Sequence, residues 1–147
     1  MAIKKQFCTF YLDKYCFGVN VLEVQEVFRY QEMTRVPLAP GDISGLINLR
    51  GQIITAITLR LRLGMQAQPA GRVPMNVVVR TQNEVVSLWV DQIGDVVEVS
   101  EDFYEKAPET IRGAMGELIT GVYKLKDRLL LILDTEKIVQ FESIAAQ

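Results

Sequence analysis

The residue types that usually carry enzyme chemistry are sparse in this chain. It has no histidine among its 147 residues, so the commonest general base, nucleophile partner and zinc ligand is absent. Its two cysteines, Cys8 and Cys16, are too few for a four-ligand zinc site. A hairpin turning at Asp13-Lys14 pairs Leu12 with Tyr15 and Tyr11 with Cys16, which sets Cys8 and Cys16 on opposite faces and out of disulfide reach. They read as two small hydrophobes. Neither GxxxxGK[ST] nor GxGxxG occurs. The one acidic cluster, Glu98, Glu101, Asp102 and Glu105, reads as a solvated face rather than a metal site. Arg50, Arg60 and Arg62 suggest an anion site, but they are spread over a turn and a short helix of an acidic protein, and the plainer reading is solvated charge. Arg50 is the exception. A turn tip needs only a polar residue, and the planar guanidinium fork suits recognition of a carboxylate. Trp89 falls in the inward pattern of its strand and reads as core.

Composition narrows the classes further. Hydrophobic residues make up 49% and charged residues 23% of the chain, the profile of a folded globular protein rather than a disordered one. A length of 147 residues is one domain's worth, long enough to bury about 68–70% of the unfolded surface. The net charge of −2 argues against a general nucleic-acid binder, whose affinity comes from excess Lys and Arg. A small-barrel binder of single strands would also interleave aromatic and basic residues on an exposed sheet, and that pattern is missing. The longest apolar run, Leu129 to Leu133, is far shorter than the roughly twenty residues a membrane helix needs. After Lys4-Lys5 the chain runs directly into FCTFYL without a secretory apolar region, so a cytoplasmic location is expected.

The elements that position Arg50 are two apolar segments, Leu46 to Leu49 and Ile53 to Leu59, joined by Arg50-Gly51. This predicts a β-hairpin with Gly51 taking positive φ. The pattern returns 76 positions later: Gly121 falls on Gly45, Leu125 on Leu49, Lys126-Asp127 on the turn and Leu133 on Ile57. Earlier, Phe7 to Leu12 and Tyr15 to Val19 predict a hairpin whose inner face carries Cys8, Phe10, Leu12, Tyr15, Phe17 and Val19. Met75 to Thr81 and Glu84 to Val90, turning at Gln82-Asn83, repeat it, and VQEV (Val24 to Val27) returns as VVEV (Val96 to Val99). The chain is duplicated.

Between these repeats, Val21 to Val27 predicts a short helical turn running into a strand near Glu26 to Tyr30, ended by Pro37, Pro40 and Gly41. Ile43 to Leu46 is expected to make one helical turn, Thr58 to cap a helix over Leu59 to Leu63, and Glu101 to Arg112 to form separate helical turns around Pro108. Asp134 caps a C-terminal helix with a stripe of Ile138, Val139, Phe141 and Ile144. Gln66 to Pro74, with two prolines and a glycine, is the most linker-like stretch. The expected fold is all-β, a single domain over 1–147 made of two intertwined, pseudo-repeated, five-stranded antiparallel barrels with short helices, divided near 66–74.

These residues resemble the chemotaxis coupling proteins of the CheW type. The likeness is carried by YCFGVNVLEVQEV, by the run from Val36 through Pro37, Pro40 and Ile43 into GLINLRG and Leu59-Arg60, and by LITG and LILD in the second half. It covers nearly the whole chain. The resemblance implies two five-stranded SH3-like barrels, no catalytic activity and no cofactor. The implied partners are the regulatory domain of a CheA-type histidine kinase and the cytoplasmic tips of methyl-accepting chemotaxis receptors, with no nucleic acid and no insertion into the membrane. Matched by motif, Arg50 and Gly51 fall on a turn implicated in kinase control, Glu26 is the acidic partner of Arg50, and Val24 and Val27 flank the receptor-facing groove. Ala56 and Thr58 depart from the proline and aspartate that relatives usually carry, which leaves open an adaptor of twitching motility or another chemosensory pathway. A minor enzyme is the remaining alternative.

Overall fold

The computed structural model describes residues 3–29, 33–35, 37, 41, 43–68, 71–82, 84–111 and 113–140. Strands β1 (Lys4–Leu12) and β2 (Tyr15–Asn20) form the first hairpin. A 3-10 turn at Val21–Glu23 leads into β3 (Val24–Arg29), then β4 (Ile43–Leu49), β5 (Gln52–Thr58) and helix α1 (Leu59–Arg62). The second half follows with β6 (Met75–Arg80), β7 (Val85–Val90), β8 (Gln92–Ser100), a 3-10 turn at Glu101–Phe103, β9 (Tyr104–Glu105) and α2 (Gly113–Leu118). It ends with β10 (Ile119–Lys124), β11 (Leu129–Leu133) and α3 (Thr135–Val139). The protein is mostly β, as its alternating segments predict.

The duplication extends to single positions. Leu49 pairs with Gln52 across the Arg50-Gly51 turn, and 76 residues on, the Leu125 amide donates to the Arg128 carbonyl across Lys126-Asp127 at 2.8 Å. Gly45 pairs with Ala56 and Gly121 with Ile132, each beside a register shift at the preceding residue. Both glycines give way to a crossing segment. A Cβ at Gly45 would strike the Thr34 carbonyl, and one at Gly121 would strike the Tyr104 ring. Thr34 bridges Leu46, whereas β9 pairs with β10 through Glu105 and Val122. The sixth strand of one sheet is thus the counterpart of a single bridge in the other.

In space the two halves are exchanged. One sheet has the order β8-β1-β2-β11-β10-β9 and the other β3-β6-β7-β5-β4. Each half sends its third strand to the first strand of the other, β3 to β6 and β8 to β1. Two contacts, β5 with β7 and β11 with β2, are parallel, which corrects the expectation of purely antiparallel barrels: hairpin patterning specifies pairing within a half, and the joints between halves are free to run parallel. Each sheet curls around its own core, Phe7, Cys16, Tyr123, Leu130 and Ile132 in one and Ile47, Leu49, Ile54, Ala56 and Val78 in the other. A third and larger core, with Phe10, Phe17, Ile57, Leu88, Leu131 and Ile138, lies between the sheets.

This arrangement explains the first hairpin. Its register is as read, and Cys8 and Cys16 are free thiols on opposite faces. The face carrying Phe10, Leu12, Phe17 and Val19 looks onto the central core, while Phe7 and Cys16 fill the barrel, so both faces are covered. Tyr15, expected inside, is exposed at the strand's start. Ile43 to Leu46 is strand, not helical turn, because Ile43 and Leu46 pair with Ile57 and Thr55. Asp134 accepts from the Lys137 amide at 3.1 Å and caps α3, with Ile138 and Val139 buried. The Glu101 to Arg112 segment holds one 3-10 turn and then β9. Tyr30, Val36, Pro40, Asn83, Arg112, Phe141 and Ile144 lie outside the described residues.

Because the halves are joined by four strand pairings, β1 with β8, β3 with β6, β5 with β7 and β2 with β11, a chain divided between Gln66 and Pro74 is expected to give two fragments that are each unfolded alone. Losing the shared core removes about 1.5–3 kcal/mol for every large apolar side chain re-exposed. Amide spectra of the separate fragments check this, and a dispersed spectrum from either one as a soluble monomer would contradict it.

Candidate functional site

Strands β3 and β4 are the two outer strands of the five-stranded sheet. The sheet's curl brings β3 beneath the tip of the β4–β5 hairpin, where the Arg50 guanidinium Nη1 donates to Glu26 Oε2. The tip is built for this. Arg50 and Gly51 have φ of 52° and 85°, the two positive values a primed hairpin turn requires, and the Gly51 amide donates to Asn48 Oδ1 at 2.9 Å. The sequence pointed to positive φ at Gly51, and the structure adds Arg50. The Arg50 side chain is 74% exposed and that of Glu26 21%. Its hydrogen bond to Glu26 and the carboxylate's charge raise the Arg50 pKa further above its usual range. The pair therefore orients a solvent-facing loop.

Val24 and Val27 sit at different depths of β3. Val24 is half-buried against the central core, and Val27 is 45% exposed on the outward face. The two-residue period of the strand turns Val24, Glu26 and Phe28 inward and Gln25, Val27 and Arg29 outward, with a register shift against β6 between Val24 and Glu26. Beside β3 and the hairpin tip, the sequence reading did not single out exposed Leu22, in the turn before β3, or exposed Ile53, on β5. In the apolar run IITAI the alternation of Ile53 out and Ile54 in was the available signal.

Arg60 and Arg62 are not solvated charges. Arg60 is 6% exposed. Its Nε donates to Asp91 Oδ1 at 2.8 Å, Nη2 to Asp91 Oδ2 and Asp13 Oδ1 at 2.5 Å each, and Nη1 to the Gln66 carbonyl at 3.1 Å. It ties the β1–β2 turn, the end of β7 and the linker to α1. Arg62 donates to the carbonyls of Ile138, Lys137 and Gln140 and fastens the end of α3. Thr58 occupies the N-cap position of α1 but makes no capping bond; its hydroxyl pairs with that of Ser44 instead. The acidic cluster is partnered along the surface by Lys4 with Glu98, Lys5 with Glu101 and Lys124 with Glu105. Trp89 packs partly buried against the interior of the five-stranded sheet.

The CheW-like domain model matches residues 6–143. The chain belongs to the CheW-like domain family. It is 31% identical over 144 residues to the chemotaxis protein CheW of Klebsiella aerogenes, covering 98% of this chain and 87% of that one. It is 31% identical over 127 residues to the chemotaxis protein CheW of Bacillus subtilis, covering 86% and 81%. In three dimensions it resembles the scaffolding protein TtCheW of Thermoanaerobacter tengcongensis, with a TM-score of 0.84, 27% identity and 95% of both chains covered. Among the described residues no helix is long and apolar enough to cross a membrane.

In this CheW-like chain the Arg60 network also sets an acid limit. Burial pushes the Asp91 carboxyl up, but the Arg60 bonds, the Asp13 amide and the nearby positive charges outweigh it and hold the group below its ordinary value of 3.8. A carboxylate depressed in the folded state contributes stability that is complete above its unfolded value, and this is lost as pH falls through the folded one. Melting temperature is therefore expected to hold steady down to about pH 5 and to drop below about pH 4, with a shallower drop in Asp91→Asn. Thermal melts across that range check it, and an equal slope in both proteins would contradict it.

Proposed function

We propose that this chain is a non-catalytic scaffold of chemosensory signalling, holding the regulatory domain of a CheA-type histidine kinase against the cytoplasmic tips of methyl-accepting chemotaxis receptors. Relatives along the full length are named as chemotaxis proteins and a structural neighbour as a scaffold. The observation that carries the reading is the Arg50–Glu26 pair, which joins both edges of one sheet and presents the Arg50-Gly51 tip to solvent. A fixed, exposed turn with a charged fork is a surface for recognition, and it adds little to folding. Arg50, Gly51 and Glu26 form the kinase contact in this reading. Val27, outward and apolar, with Val24 beneath it, forms the receptor contact. The protein works in the cytoplasm and reaches the membrane array only through its partners.

The test is simultaneous binding. Size-exclusion chromatography of the chain with a kinase regulatory domain and a soluble receptor-tip fragment is expected to give a ternary peak. Competition between the two partners for one surface would overturn the proposal.

A further inference from the structure

A cavity of about 310 Å3 opens between α1, the 67–74 stretch and the end of β7. It lies at the end of β5 opposite the Arg50-Gly51 tip, since β5 runs from Gln52 beside the tip to Thr58 at the cavity. Leu61, Pro74, Trp89 and Val90 give it an apolar wall. Helix α1 supplies part of that wall. Leu59 is buried in the central core, and Leu61, two positions on and so on the other side of the helix, is 39% exposed.

The charged lining divides into a closed part and an open one. Arg60 and Asp91 are the closed part. Arg60 takes both Asp91 carboxylate oxygens, the Asp13 amide adds a third bond to Asp91 at 2.9 Å, and Arg60 is held further by Asp13 and the Gln66 carbonyl. Arg72 is the open part. It is exposed and lines the same cavity. Its charge reaches Asp91 and helps to hold that carboxyl down, but without a hydrogen bond between them, and among the described residues no ion pair engages it. Its guanidinium fork is therefore left to solvent at the side of an apolar wall.

We propose that this cavity binds a small aromatic monocarboxylate, with its ring against the apolar wall and its carboxylate on Arg72. A guanidinium fork matches a carboxylate through two parallel hydrogen bonds, and a ring placed beside the Trp89 indole gains more than its burial alone supplies. The rest of the lining narrows the class. Asp91 repels a second acidic group carried at the inner end, which disfavours diacids, and Arg72 with Arg60 disfavours organic cations. The volume lies at the lower end of the range of small-molecule sites, which limits the body to about one ring. None of the residues assigned above to kinase or receptor contact lines this cavity, so its occupancy and the scaffold reading are tested separately.

The chain has a single tryptophan, and it stands in the wall, so its fluorescence reports occupancy. Titration of the full chain with phenylacetate is expected to change Trp89 emission saturably, with saturable amide shifts at Leu61 and Val90. Phenylacetamide, a neutral isostere, and terephthalate, a diacid, are each expected to bind at least about tenfold more weakly. Arg72→Gln is expected to weaken phenylacetate about tenfold while melting with the parent, because an exposed side chain is replaced. Leu61→Ser is expected to weaken it as well, through the wall rather than the charge. Absence of saturation by about 10 mM, equal binding of phenylacetamide or terephthalate, or an unchanged affinity in Arg72→Gln would overturn the proposal.

Discussion

Arg50→Ala is expected to lose kinase activation in a reconstituted receptor mixture, with affinity for the kinase regulatory domain lower by about tenfold or more, while melting within about 3 °C of the parent. The separation follows from geometry. Arg50 projects from a hairpin tip, 74% exposed, where it pairs with Glu26, and a solvent-facing pair contributes little to folding. Alanine must still adopt the φ of 52° that Arg50 adopts, so the turn costs the same with either residue. At an interface, by contrast, a misplaced tip removes a central contact. Exchanging the charges, Arg50→Glu with Glu26→Arg, is expected to keep the melt and to recover part of the activation if pairing is what aims the loop. Full activation by Arg50→Ala, or outright unfolding, would remove Arg50 from the interface.

Arg60→Ala is expected to do the opposite. It leaves Asp91, whose side chain is 10% exposed, buried without its cation, and opening a buried pair from one side costs about 3–5 kcal/mol. The expected consequence is a melting temperature lower by about 10 °C or more, with binding of both partners intact wherever the protein is still folded. Arg60→Lys is expected to rescue little of this, because an ammonium cannot reproduce the fork that spans Asp91, Asp13 and Gln66. Denaturant titration measures the loss, and a change within about 0.5 kcal/mol would show that the network is dispensable.

The contrast between these arginines marks what one sequence reveals. Arg50 was legible because a turn signal, Gly51, lies beside it, and local spacing suffices to place a hairpin tip. Arg60 looked solvated because its partners, Asp13 and Asp91, are 47 and 31 positions away, and nothing local predicts that three distant turns meet. The duplication and the hairpin registers were readable for the same local reason, as was the Asp134 cap. Intertwined halves were expected, but which strands they exchange was not readable, since a repeat offset says which segments correspond and not which pair. Ile43 to Leu46 was misread because a short apolar run fits either period. Helix α2 was not anticipated: Gly113 and Gly116 depress helix propensity, and packing of Leu118 supplies the missing stability.

Co-sedimentation of a CheA-type kinase with receptor-bearing vesicles, with and without this chain, tests the scaffold reading most directly. The kinase is expected to remain in the supernatant with vesicles alone, to pellet when the chain is added, and to return to the supernatant when Arg50→Glu replaces it. Kinase that pellets equally without the chain, or a chain that stays soluble in the presence of both partners, would contradict the account.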